Sequence, residues 1–264
     1  MQLTIDHETV YRYDGTVSHS TQYLRLTPPE NSHQRIISWQ LELPVAASQS
    51  TDAYGNILHV LTLDTPHSEI HLRAHGVVET CDDWSDEAEV LLPSVFLRDS
   101  ALTEPDAAIR QLAANHAEAI AADAGSGLTA LMLAVADAMP YTGGVTGATT
   151  TASDAYALGA GVCQDHSHVF IAACRSLGLP ARYVSGYLLS ERDTHVASHA
   201  WAEVHADGRW QGFDISNRML PDRHHLKLAV GLDYTDASPV RGVRRGGGSE
   251  ALQARAQVTE ADQQ

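Results

Sequence analysis

The chain has 264 residues, 44 % of them hydrophobic, and carries 17 Lys and Arg against 33 Asp and Glu for a formal net charge of −16. That is enough apolar material for one large domain or two small ones without covalent staples, and the acidic balance argues against nucleic acid and anionic membrane as partners. Three cysteines, Cys81, Cys163 and Cys174, stand at spacings that suggest neither a disulfide framework nor a CxxC metal site, and no basic segment with an apolar stretch follows Met1, so a cytoplasmic protein is expected.

Residues 1 to about 80 alternate with period two, within a first domain expected to span 1–85. Leu3, Ile5, Tyr11 and Tyr13 share a face before a turn expected at Asp14-Gly15, and Ile37, Trp39, Leu41 and Leu43 do so before Pro44. Ile57, Leu61 and Leu63 follow the turn Tyr54-Gly55-Asn56, and then come Ile70, Leu72, Ala74 and Val78. Short strands between turns predict an antiparallel β-sandwich. The histidines here (His7, His19, His33, His59, His67, His71, His75) lie at no metal-ligand spacing and are expected to be ordinary strand and loop residues.

Residues 86–102 are expected to connect two domains, the second spanning 103–259 and ending in a frayed tail, 260–264. Thr103 is placed to cap a helix that begins Glu104-Pro105-Asp106 and runs to about Ala122, with a second helix from about Leu128 to Ala138, before Pro140. Ser153 is expected to cap a short helix through Leu158, ended by Gly159 and Gly161. A new helix then starts at Cys163, with Val169, Phe170, Ala173 and Leu177 on one face and Gly178 and Pro180 closing it. Ala181 to Leu189 read as a strand and Glu191 to Val196 as a polar loop. Ala200 to His205 and Trp210 to Asp214 form a hairpin around Asp207-Gly208. Leu226 to Tyr234 read as another strand, Val240 to Val243 lead to a flexible turn at Arg244-Arg245-Gly246-Gly247-Gly248, and the alternating Leu252, Ala254, Ala256 and Val258 read as a last strand.

The reactive residues of the second domain occur in the order Cys163, His199, Asp214. Nucleophilic amide chemistry needs a thiolate, a base that takes and returns a proton, and a group that holds the base in one tautomer. An ordinary thiol is only a few per cent ionised at neutral pH, and a helix N-terminus and a nearby imidazolium both favour the thiolate. The hairpin returns Asp214 beside His199. His168 lies about 140° round the helix from Cys163 and is expected to be structural, as is Asp165 near the helix dipole. Cys174, inside the helix, is expected to be a core residue. A thiolate triad needs no metal, so none is expected at His166, His168, His224 and His225, and no cofactor is expected.

Residues 149–239 resemble the transglutaminase-like superfamily, in particular its bacterial members described as candidate cysteine proteases. The resemblance lies in Gly159-Ala160-Gly161-Val162-Cys163-Gln164-Asp165, His168, Leu177 to Leu188, Ser198 to Val204, Gly212-Phe213-Asp214 with Asn217, and Val230-Gly231 with Asp233-Tyr234. Tyr23 to Pro28 and Asp52 to Asn56 resemble the N-terminal domain of the same bacterial family. His166 and Ser167 replace the usual aromatic and small residues, Asp214-Ile215-Ser216-Asn217 varies the element after the carboxylate, and Leu232 replaces a common arginine.

The resemblance implies an α+β protein, an N-terminal antiparallel β-sandwich followed by a papain-like/transglutaminase-like core. Cys163 would be the nucleophile, His199 the general base and acid, and Asp214 the orienting carboxylate. Tyr141 is a candidate oxyanion donor with the Cys163 N–H, and Gln164 and Trp201 are candidate site-lining residues. Three functions are open: cleavage of a peptide or protein amide through a thioester acyl-enzyme, transfer of a glutamine acyl group to an amine, and non-catalytic peptide binding.

Overall fold

The computed structural model describes residues 1–84, 91–189 and 198–261; the expected loop Glu191 to Val196 and residues 86–90 of the expected connector lie outside them. The chain folds as an α+β protein with two antiparallel sheets. The first is threaded by β1 (Gln2–Leu24). Residues 2–12 of β1 pair with β5 (His67–Thr80) and residues 3–13 with β11 (Glu250–Glu260). Beyond a register break between Arg12 and Val17, the second half carries β4 (Ile57–Leu63) and β10 (Val240–Gly246). β2 (Gln34–Glu42) lies outside β5, and β3 (Ser48–Thr51) outside β4. Tyr11, Val17, Leu24, Leu61, Ile70 and Leu72 form the sandwich core.

Two expectations change here. No turn interrupts β1 at Asp14-Gly15, because the β10–β11 turn docks there: Gly15 N donates to Gly247 O (3.0 Å), and the Asp14 carboxylate accepts from Ser249 N (2.9 Å). Strands β10 and β11, with residues expected in the second domain, instead extend the first sheet, β11 in register from Leu3 opposite Glu260 to Tyr13 opposite Glu250. Period-two alternation identifies a strand but not its partner. Glu260, expected to begin a frayed tail, is therefore paired, and Ala261 N donates to Gln2 O (2.9 Å).

The second unit packs helices on a four-stranded sheet of order β8-β7-β6-β9. These strands are β6 (Ala181–Leu188), β7 (His199–Ala206), β8 (Arg209–Phe213) and β9 (His225–Gly231). The helices are α1 (Ala107–Ala114), α2 (Ala117–Ala122), α3 (Ala124–Ala138), α4 (Ala152–Leu158), α5 (Cys163–Ser176) and α6 (Tyr234–Ala237). Val169, Phe170 and Ala173 of α5 pack against Ala200, Ala202 and Val204 of β7 and against Phe213.

The caps differ from expectation in instructive ways. Asp106, not Thr103, caps α1 by accepting from Ile109 N (2.8 Å), while Thr103 is buried and accepts from Arg175 Nη1 (2.7 Å). The helix expected to reach Ala122 breaks at His116, and α3 starts four residues before Leu128, from an Asp123 cap. Thr151, not Ser153, caps α4. Gly159 closes α4 at φ 68°, the left-handed geometry expected of it. Leu3, Ile5 and Val78 of the sandwich meet Tyr187, Leu226 and Leu228 of the second sheet in a shared apolar cluster.

Candidate active site

The start of α5 is built by its own sequence. Asp165 Oδ2 accepts from Val162 N (2.8 Å) and Thr146 Oγ1 (2.7 Å), so one carboxylate caps the helix and tethers the loop before it. Gly161 is required by this cap, since a Cβ there would lie 2.6 Å from the Asp165 Cβ. The His166 ring nitrogens reach Met139 O (2.6 Å) and Val162 O (2.8 Å), fixing the same junction from the other side. Cys163 thus sits half-buried at the first helical position, where the amide has no acceptor within the helix and the dipole favours negative charge.

His199 opens β7 and Asp214 follows β8. The turn between these strands uses left-handed Asp207 (φ 52°) and Gly208 (φ 75°), which returns the chain tightly enough to pair Ala202 with Phe213. His199 Nε2 donates to Asp214 Oδ2 at 2.7 Å, and Cys163 lies near enough to the imidazole to act on its charge. Burial alone would push the imidazole toward neutrality, but the Asp214 charge and hydrogen bond, aided by Cys163, raise its pKa to about 10. Burial likewise opposes the Asp214 charge, yet the His199 charge and the bonds from His199 and His225 hold this carboxyl well below the usual range. Ser216 Oγ (3.0 Å) and Asn217 N (3.2 Å) donate to Oδ1, and Asn217 Nδ2 donates to Oδ2 (2.8 Å).

The structure therefore brings Cys163, His199 and Asp214 together, with His199 hydrogen-bonded to Asp214 and Cys163 beside it. Tyr141 is 62 % exposed, stacks on His166 with ring centroids 6.2 Å apart, and bridges Gly161, which places it beside the Cys163 junction. Gln164 is half-buried in the first turn of α5. Trp201 is fully buried, its ring 6.1 Å from that of His199 and edge-on to His225 at 5.4 Å, so it supports the imidazoles without a solvent-facing surface. His168 is fully buried and accepts from Tyr234 N (3.1 Å); burial pushes its pKa down to about 4. Cys174 is buried, which pushes its thiol far above the ordinary range, whereas Cys81 is exposed.

Sequence reasoning did not find His225 as a partner of Asp214. Its Nε2 lies 3.1 Å from Asp214 Oδ2. Among the described residues, His199, Asp214 and His225 form a cluster whose donor atoms lie within 4.8 Å and could hold a metal ion; the N–H···O bonds through Oδ2 use those same atoms. Two histidines expected to be ordinary sandwich residues cross into the second unit: His7 Nδ1 bonds Tyr187 Oη (2.7 Å), and His33 Nε2 bonds His225 O (2.7 Å).

Residues 3–79 match the bacterial transglutaminase-like N-terminal region, and residues 110–215 match the transglutaminase-like superfamily. An uncharacterized protein of Mycobacterium leprae is 29 % identical over 283 residues, covering 98 % of this chain and 98 % of that one. An uncharacterized protein of Mycobacterium tuberculosis is 29 % identical over 278 residues, covering 90 % of this chain and 86 % of that one. A crystal structure from Cytophaga hutchinsonii, described as a putative cysteine protease, superimposes with a TM-score of 0.79 at 22 % identity, covering 100 % of this chain and 92 % of that one. That likeness extends over both units of the fold.

Proposed function

Because the chain belongs to the transglutaminase-like superfamily and carries that superfamily's bacterial N-terminal region, we propose that it is a cysteine-dependent amide-cleaving enzyme that works through Cys163, His199 and Asp214. The observation that carries this reading is the buried His199–Asp214 hydrogen bond with Cys163 beside the imidazole at the start of α5. The Cys163 thiolate attacks the amide carbonyl carbon, forming a C–S bond and an oxyanion. The Cys163 N–H at the helix start donates to that oxyanion, with Tyr141 as the candidate second donor. The His199 imidazolium then protonates the amide nitrogen, the C–N bond breaks, and an amine leaves a thioester on Cys163. Neutral His199 next takes a proton from water, the hydroxide attacks the thioester, and the acid departs as the thiolate–imidazolium pair reforms. Asp214 keeps the Nε2 proton in place, leaving Nδ1 for the exchange with sulfur and substrate.

Incubation with a peptide library, with and without a primary amine, followed by mass spectrometry tests the reading. Backbone cleavage or loss of ammonia with uptake of water is expected. Preferential incorporation of the amine would instead assign acyl transfer. No turnover together with an unreactive Cys163 would assign a binding module.

A further inference from the structure

β9 is the edge strand of the second sheet among the described residues, and the sandwich closes that edge with side chains instead of another strand. Gln34 pairs twice with Lys227, donating from Nε2 to its carbonyl (2.8 Å) and accepting from its N–H at Oε1 (2.9 Å). Asn56 does the same at Val230, with both bonds 2.8 Å long. His33 Nε2 donates to His225 O (2.7 Å). Two carboxamides thus reproduce the paired bonds of a β-ladder, and with His33 they satisfy backbone groups that an exposed edge would offer to other chains.

One of the residues held in this way, His225, is wholly buried. Its Nδ1 lies 3.1 Å from the Asp222 N–H and 3.3 Å from Asp222 Oδ1, while Nε2 faces the Asp214 carboxylate, which can only accept, so Nε2 carries a proton. From there it donates to Asp214 Oδ2 at 3.1 Å. Trp201 lies edge-on to the ring at 5.4 Å, and the His199 ring centroid is 6.0 Å away. With no exposed surface, this imidazole has no path to a substrate. Its effect must pass through the carboxylate.

We propose that His225 is a positioning residue of the Cys163–His199–Asp214 group, fixing the Asp214 carboxylate through a second imidazole N–H while the sandwich holds the strand that carries it. The proposal rests on the catalytic reading above. Five donors reach the Asp214 carboxylate, His199, His225 and Asn217 Nδ2 at Oδ2 and Ser216 Oγ and Asn217 N at Oδ1, so the group cannot turn away from His199 without breaking a bond. Loss of the His225 donor removes one of the bonds on the oxygen that faces His199, loosens the carboxylate and lets the His199 ring drift from the sulfur.

The test compares His225→Met, which keeps volume but has no N–H, with His225→Gln, whose Nε2 can still donate to the carboxylate. The rate of Cys163 alkylation by iodoacetamide is measured at pH 6 on the full-length proteins, well below their melting temperatures. His225→Met is expected to slow alkylation about tenfold, and His225→Gln to restore it to within about threefold, as misplacement of a reacting group and its repair imply. A wild-type rate in His225→Met overturns the proposal, and so does a His225→Gln protein as slow as His225→Met, since that would reflect packing alone. If wild-type Cys163 is itself no faster than the exposed Cys81, the catalytic reading fails before any variant is considered, and the proposal falls with it. The bond is also tested directly: proton–nitrogen spectra of the wild type should place a proton on His225 Nε2, and a bare Nε2 overturns the proposal whatever the thiol does.

Discussion

Replacing Asp214 with Asn should reverse the pH dependence that His199 gives to stability. The experiment is set in a Cys163→Ala background, because thiolate formation would otherwise release the proton that the imidazole takes up. Two unit charges at the observed 2.7 Å interact by about 6 kcal/mol at an effective dielectric constant of about 20, and a rise of the His199 pKa from 6.5 to about 10 corresponds to about 5 kcal/mol, of which Asp214 supplies the larger part and Cys163 a part that this background removes. With Asp214 present, the folded-state pKa lies above the unfolded one. That contribution is complete below about pH 6.5 and is lost as pH rises toward 10. In the Asp214→Asn protein the charge is gone while the burial remains, so the folded pKa falls below 6.5 and stability instead declines as pH drops through that value. Urea unfolding from pH 6 to 9.5 should therefore show a stability gap between the two proteins that shrinks as pH rises, by up to about 4 kcal/mol across three pH units. Parallel stability curves would refute the electrostatic coupling.

His199→Ala in the otherwise wild-type chain should slow alkylation of Cys163 by more than about tenfold at pH 6 but by less than about threefold at pH 9, where thiols ionise without help. Buried Cys174 should label slowly in both proteins and serve as the internal control. Gly161→Ala would drive a methyl group into Asp165 and push its carboxylate off Val162 N, so a loss of about 1–3 kcal/mol in urea unfolding and slower Cys163 alkylation are expected together. Arg175→Met should cost at least about 3 kcal/mol by the same unfolding measurement, because Arg175 bonds the buried carbonyls of Phe96, Ala181 and Leu232, which would lose their donor.

What was legible in the sequence is what local geometry determines. The apolar spacing after Cys163 marks α5, and Asp207-Gly208 supplies the left-handed pair that a two-residue hairpin needs, so the adjacency of His199 and Asp214 follows from a segment only fifteen residues long. Partnerships made across the chain were not legible. Strand β11 alternates as cleanly as any other, yet nothing in Leu252, Ala254 or Val258 says that their strand pairs with β1, some 240 residues earlier. Thr103 and Asp106 are both competent caps, and only the buried Arg175 guanidinium decides that Thr103 serves elsewhere. His225 escaped notice for the same reason. Its bond to Asp214 spans eleven residues, but the geometry depends on β9 pairing with β6 and on His33, Gln34 and Asn56, more than 170 residues away, closing the other edge.

The most direct measurement is alkylation of the wild-type protein with limiting iodoacetamide at pH 6, with the modified residues located by peptide mapping. The protein supplies its own references, since Cys81 is exposed, Cys174 is buried, and Cys163 lies half-buried against His199. A cysteine nucleophile paired with an imidazolium should react first and stoichiometrically, well ahead of the more accessible Cys81, and Cys174 should not react. Labelling of Cys81 before Cys163, in the order of exposure alone, would contradict the catalytic assignment.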